Sequence, residues 1–212
     1  THNDSIMMHL LYDKKQNPGW QYVGDATDLS FIPVHKKYDF LLSFHVLEHI
    51  ANPIKVLNEW IRSLTPQGVV ALGVPHKENT FDCYREVTLL SHMVDDYKNN
   101  ISEDDLTHLD EVLNFHDFSL DSGQINKEDF VRMIKNNHEY RVLHHHVFST
   151  KLVIQLLDYV GLQILTVETF LPWHILILAQ KALNPELVDN ANFLLDTAEY
   201  TQRNIFSIDR VV

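Results

Sequence analysis

Two apolar runs, Tyr38 to Ser43 and "VVALGVP" at 69 to 75, flank a segment in which Leu57, Trp60, Ile61 and Leu64 recur at helical spacing. Continuous apolar runs of this length predict strands covered on both faces, and the intervening recurrence predicts a helix with one core-facing stripe. Asn52 is placed to cap that helix and Pro53 to open it, because a missing amide hydrogen costs little in a first turn. "TPQG" at 65 to 68 is expected to end it. Upstream, Trp20 to Val23 predicts a strand running into "GDA" at 24 to 26. Ser5 to Lys15 predicts a helix capped by Asp4 or Ser5 and stopped at Asn17-Pro18-Gly19. Alternating strand and helix predicts a parallel, doubly wound sheet.

The alternation breaks at residue 76. Residues 76 to 150 are rich in Asp, His and Asn, with short amphipathic pieces at Thr88 to Tyr97 and Lys127 to Asn136. So long a departure between regular units predicts an insertion covering one end of the sheet rather than a structureless loop. Asn126 is placed to cap the second piece. The rhythm returns with a helix capped at Ser149 or Thr150, carrying Leu152, Val153, Leu156 and Leu157 on one face and ending at Gly161. "LQILTVETF" (162 to 170) and "HILILAQK" (174 to 181) predict an antiparallel strand pair at the sheet edge, and the tail over 182–212 reads as helix-like. With no repeat or linker, a single domain over 1–212 is expected.

Composition narrows the partners. A formal charge of -12 and no dense basic patch exclude a nucleic-acid backbone as the main partner. Cys83 is the only cysteine, which excludes an internal disulfide and is compatible with a reducing compartment. No apolar stretch approaches the length of a membrane span and the opening residues have no signal-like pattern, so a cytoplasmic location is expected.

The segments "YVGDATDLSFIP" (22 to 33), "YDFLLSFHVLEHIANP" (38 to 53) and "LTPQGVVALGVP" (64 to 75), with the closing strand pair, resemble the class I S-adenosylmethionine-dependent methyltransferases of the small-molecule branch. "HKENTFDCYRE" (76 to 86) and "HHHVF" (144 to 148) are similar to motifs of a bacterial subset. The resemblance covers roughly residues 4 to 76 and 146 to 181. It implies a Rossmann-like seven-stranded sheet with an antiparallel last strand and a cofactor, S-adenosylmethionine, at the carboxyl ends of the first four strands. It further implies Asp4 for the ribose hydroxyls, Asp25 with Ala26 for the adenine amine, and Phe44 and His45 around the methionine part. The first strand and glycine-rich loop of that family would precede Asp4, so the fold is expected to be N-terminally incomplete.

Transfer of a methyl group to oxygen or nitrogen calls for positioning and for a base that takes the acceptor's proton. His45 and His49, four residues apart, are the candidate catalytic bases, with Glu48 able to orient a histidine. Asp82, Arg85, Tyr140, His144 and His146 flank the expected mouth and are the candidate substrate-binding residues. Arg85 suits an anionic group through its planar fork, or a salt bridge with a nearby carboxylate. In an extended "HHH", His144 and His146 would share a face, but the spacing matches no recognised metal motif and no metal is expected. A calcium loop at 118 to 129 is rejected, because Phe118 stands where the first carboxylate is needed. The expected partner is a small-molecule or glycan-like acceptor, with a homo-oligomer or protein partner compatible with the acidic surface. The rivals are a non-catalytic binding or scaffold protein of this fold, and a zinc hydrolase using the histidines of the insertion.

Overall fold

The computed structural model describes residues 22–121 and 126–210. The expected helix at Ser5 to Lys15, Asp4, and the first half of the Trp20 to Val23 strand lie outside the described residues. Tyr22 and Val23 are irregular, so that strand does not extend into them.

Among the described residues four strands form one mixed sheet in the order β1-β2-β4-β3. Strand β1 (Tyr38–Phe44) pairs in parallel with β2 (Leu64–Pro75). Between them runs α1 (Pro53–Ser63), whose capping residue Asn52 accepts a hydrogen bond from the Lys55 amide. The chain passes from α1 straight into β2, so "TPQG" lies in the long strand rather than in a connecting turn. The last strand, β4 (His174–Lys181), runs antiparallel to both β2 and β3 (Leu162–Phe170). The hairpin is therefore as expected, but β4 is interior and β3 takes the edge.

One face of the sheet is closed. Val70, Leu72, Val74, Ile175, Ile177 and Ala179 point into a core shared with Leu57 and Trp60 of α1 and with Leu152, Val153 and Leu156 of a later helix, Thr150–Tyr159. Ser149 caps that helix by accepting from the Leu152 amide, and Gly161 after it takes φ +76, where a side chain would be strained. The opposite face departs from the expectation of two covered faces. Phe40, Leu42 and Phe44 are exposed there, and the Phe44 ring lies over Gly73 so closely that a Cβ would meet it at 2.3 Å.

The insertion carries α2 (Leu90–Lys98), α3 (Leu109–Phe115), α4 (Lys127–Lys135), which Asn126 caps, and the short α5 (Asn137–Tyr140); Thr150–Tyr159 is then α6. A small second core of Val112, Ile134 and Leu143 holds α3 and α4 together. The two motifs that bound the insertion lie side by side, since His76 bridges to Phe148 and the Thr88 amide donates to the Val147 carbonyl. The C-terminal segment, expected to be helix-like, carries short helices at Ala191–Leu194 and Glu199–Arg203. Its short helical turns bring Ala198, Tyr200 and Phe206 into the main core, and Phe206 stacks on His76 at 3.9 Å.

Asn52 does more than cap. Its amide also donates to the carbonyls of Asp96 and Ile101, tying the start of α1 to the end of α2. Asn52→Ala is expected to cost about 2 kcal/mol, the loss of a cap plus the side-chain hydrogen bonds that tie α1 to α2. A urea titration checks this, and a loss below a few tenths of a kcal/mol would contradict it.

Candidate active site

At the carboxyl end of β1 the backbone turns sharply. His45 adopts φ 51, a left-handed conformation that is costly for a residue with a side chain and is held here by its amide bond to the Gly73 carbonyl. A single 3-10 turn, Leu47–His49, follows, with Leu47 fully buried as its anchor. This turn places His45, Glu48 and His49 along one wall. His45 Nε2 lies 2.9 Å from Nδ1 of His174, the first residue of β4, and its Nδ1 lies 3.4 Å from Glu48.

Two cavities meet at that wall. The larger, about 500 Å³, is lined by Thr80, Phe81, Leu120, His144 and Trp173 as well as His45 and His49. The smaller, about 360 Å³, is lined by Gly24, Asp25, Ala26, Val46, Ile50 and Arg141, again with His45 and His49. In the smaller cavity Trp60 Nε1 donates to the Ala26 carbonyl at 3.0 Å, fixing the "GDA" segment to α1. Burial pushes the Asp25 carboxyl up, but hydrogen bonds from the Thr27 amide and hydroxyl and the Arg141 guanidinium outweigh it and hold it below the usual range. A carboxylate beside the apolar Val46 and Ile50 suits the amine edge and ring of an adenine.

Against the larger cavity lies a chain of buried polar groups that reaches its lining through His144. Asp82 Oδ2 lies 2.6 Å from His144 Nδ1, and Arg85 Nη1 donates both to Asp82 Oδ1 and to the His144 carbonyl, each at 2.9 Å. The chain joins the two motifs at the ends of the insertion and fixes the His144 ring against His49, with centroids 4.6 Å apart. Burial pushes Asp82 up, but His144 and then Arg85 overcome it, lowering the carboxyl to about 2. Burial, reinforced by the neighbouring His144, lowers His49 to about 4 against the pull of Glu48, so His49 is neutral at neutral pH.

The sequence candidates are thus distributed unevenly. His45, His49 and His144 come together, and Asp25 and Ala26 share the adjoining cavity with His45 and His49. Phe44 lies on the exposed sheet face and lines neither cavity. Arg85 is buried within ion pairs to Asp82 and Glu111, the salt-bridge alternative, and neither it nor Asp82 lines the larger cavity. Tyr140 stands over Arg132 on the outer surface. His146 does not share a face with His144, because its ring turns to the Ala51 carbonyl and to a separate histidine group. Sequence reasoning missed His174, Trp173 and Phe81. The Phe81 signal was available inside "TFD", whereas His174 reaches the site only through the β4 register opposite Pro75.

Residues 4–72 match the family model of the methyltransferase domain, a span that takes in "GDA", β1, α1 and most of β2. This segment is related to that domain, and the mixed sheet with flanking helices is consistent with its Rossmann-like core. No curated protein matches the chain. Among solved structures the chain is similar to an O-methyltransferase family 2 protein from Planctomyces limnophilus in complex with apigenin, at 11% identity and TM-score 0.37, covering 75% of this chain and 33% of that one. It is also similar to a SAM-dependent methyltransferase from Methanosarcina mazei, at 17% identity and TM-score 0.40, covering 77% and 67%. A candidate S-adenosylmethionine-dependent methyltransferase from Listeria monocytogenes gives 17% identity and TM-score 0.43, covering 79% and 72%. The chain spans a third of the length of the first of these and about two thirds of the second. No helix among the described residues is long and apolar enough to cross a membrane.

Proposed function

We propose that the chain transfers a methyl group from S-adenosylmethionine to an oxygen or nitrogen of a small-molecule or glycan-like acceptor. The observation that carries this reading is the pair of cavities sharing His45 and His49, one lined by the ionised Asp25 and the other by His144, whose ring Asp82 holds from behind. When bound, S-adenosylmethionine supplies a methyl group activated by its positively charged sulfur. Asp25 and Ala26 would hold the adenine, with His45 near the boundary. The insertion, residues 76 to 150, would cap the acceptor cavity and exclude water.

For the proton released by the acceptor, the geometry favours His144 over the two histidines first singled out. A carboxylate on Nδ1 fixes the ring and steadies the imidazolium that forms, whereas His49, lowered to about 4, holds a proton weakly at neutral pH. His144→Gln is expected to slow methyl transfer by about 10²-fold or more while leaving cofactor affinity unchanged. An unchanged rate in a folded variant would remove His144 from the reaction.

Titration calorimetry with S-adenosylhomocysteine tests the cofactor half. Binding that weakens about tenfold, or 1.4 kcal/mol, in Asp25→Ala supports the reading. Binding indifferent to Asp25 would overturn the assignment of that cavity. Saturable binding with no methyl transfer to any acceptor class would favour the binding-protein alternative.

A further inference from the structure

His92, His108 and His146, none of which lines either cavity, each bring one ring nitrogen within 4.8 Å of the others. Nε2 of His92 and Nε2 of His108 are 3.1 Å apart. Asp96, one turn beyond His92 on α2, places Oδ2 3.5 Å from His92 Nε2 and 3.8 Å from His146 Nε2. That oxygen is buried and has no hydrogen-bond partner. From these contacts we infer a divalent metal site of the zinc type, formed by His92, Asp96, His108 and His146.

The spacing supports it. Ligands at about 2.0–2.1 Å around a tetrahedral ion stand about 3.3 Å from one another, close to the 3.1 Å between His92 and His108 and the 3.5 and 3.8 Å from Asp96 to His92 and His146, while one nitrogen from each of His92, His108 and His146 lies within 4.8 Å of the others. Imidazole nitrogens so close, with an unpartnered carboxylate oxygen beside them, form a poor arrangement without a cation and a good one around it. His108 also lies 3.5 Å through Nδ1 from Glu111, the outer carboxylate that commonly orients a metal-bound histidine. His146 Nε2 is 3.2 Å from the Ala51 carbonyl, so that ring must exchange this contact or offer its unpartnered Nδ1. The His92 side chain is 42% exposed, which leaves an entry path for the ion.

Three protein nitrogens and a carboxylate complete a four-coordinate shell. Such a site is structural, and it would pin α2 and the start of α3 to the "HHH" segment that presents His144. A second group, Glu48, His49 and His144, has comparable spacing but belongs to the active-site wall. The two are distinguishable because they share no residue.

The test is titration of the chelator-stripped full chain with Zn²⁺, followed by calorimetry and native mass spectrometry, with Co²⁺ absorption reporting coordination geometry. One ion per chain is expected, with the intense visible bands of tetrahedral cobalt. His92→Gln, at an exposed position, and His108→Ala are expected to weaken binding about 100-fold or more with the circular dichroism unchanged. Binding that survives both substitutions but is lost in His49→Gln would place the ion in the other group and overturn the inference. A folded chain that takes up no ion would overturn it equally.

Discussion

Acidification from pH 6.5 toward pH 4, with a chelator present, is expected to unfold the chain in a steep transition. Burial lowers His49 to about 4 and, with His108 adding to it, lowers His145 to about 3. His145 is locked neutral, because its Nε2 accepts from the Asn137 amide while Nδ1 finds no partner in the interior. An unfolded imidazole binds its proton near 6.5, so below that pH the unfolded state takes up protons the folded state refuses. Stability is therefore complete above 6.5 and falls as pH drops, by about 1.4 kcal/mol per pH unit for each ring. Two rings give about 2.7 kcal/mol per unit, enough to consume much of a typical 5–15 kcal/mol of total stability before pH 4. Asp82 acts in a lower window: with its pKa lowered to about 2, its contribution is present above 3.8 and is lost only between 3.8 and 2. Urea midpoints at pH 7, 6 and 5 check the slope, and His49→Gln should remove about one proton's share. Midpoints that stay level from pH 7 to pH 5 would show that these rings are not held neutral.

Arg85→Ala is expected to cost about 3–5 kcal/mol. The guanidinium is 1% exposed and serves Asp82, the His144 carbonyl and Glu111 together. Removing it leaves the buried Asp82 carboxylate without its guanidinium partner and opens a cavity. Arg85→Met combined with Asp82→Leu should recover part of the loss, because an apolar pair has no charge to desolvate. Denaturant unfolding of the two variants decides this, and a single substitution costing under about 1 kcal/mol would mean the network is solvated. The proposed methyl transfer should suffer even where the double variant is stable, since His144 then loses the carboxylate that fixes its ring.

The same network shows what could be read in the chain before its folding was known. The α1 cap at Asn52, the β1 and β2 runs, the Ser149 cap and the closing hairpin are local. Each rests on hydrophobic period or on one side chain serving backbone groups a few residues away. The interior position of β4 was not legible, because a hairpin's pattern is alike at an edge or beside β2. Arg85 was legible as a cation but not as a buried one: its carboxylates and the His144 carbonyl come from up to 59 residues away. The C-terminal segment was legible as helix-like but not as part of the core, because Phe206 and Asp209 meet His76 more than a hundred residues distant, leaving no periodic trace.

By itself, then, the sequence determined the strands and helices that obey a period, the acidic balance, and the segment related to the methyltransferase domain. Only the tertiary structure decided which histidines act together. An extended "HHH" would put His144 and His146 on one face, yet His144 turns to Asp82 and His49, and His146 to His92 and His108. Where each ring ends depends on long-range partners that satisfy its buried nitrogens, a condition no local pattern encodes.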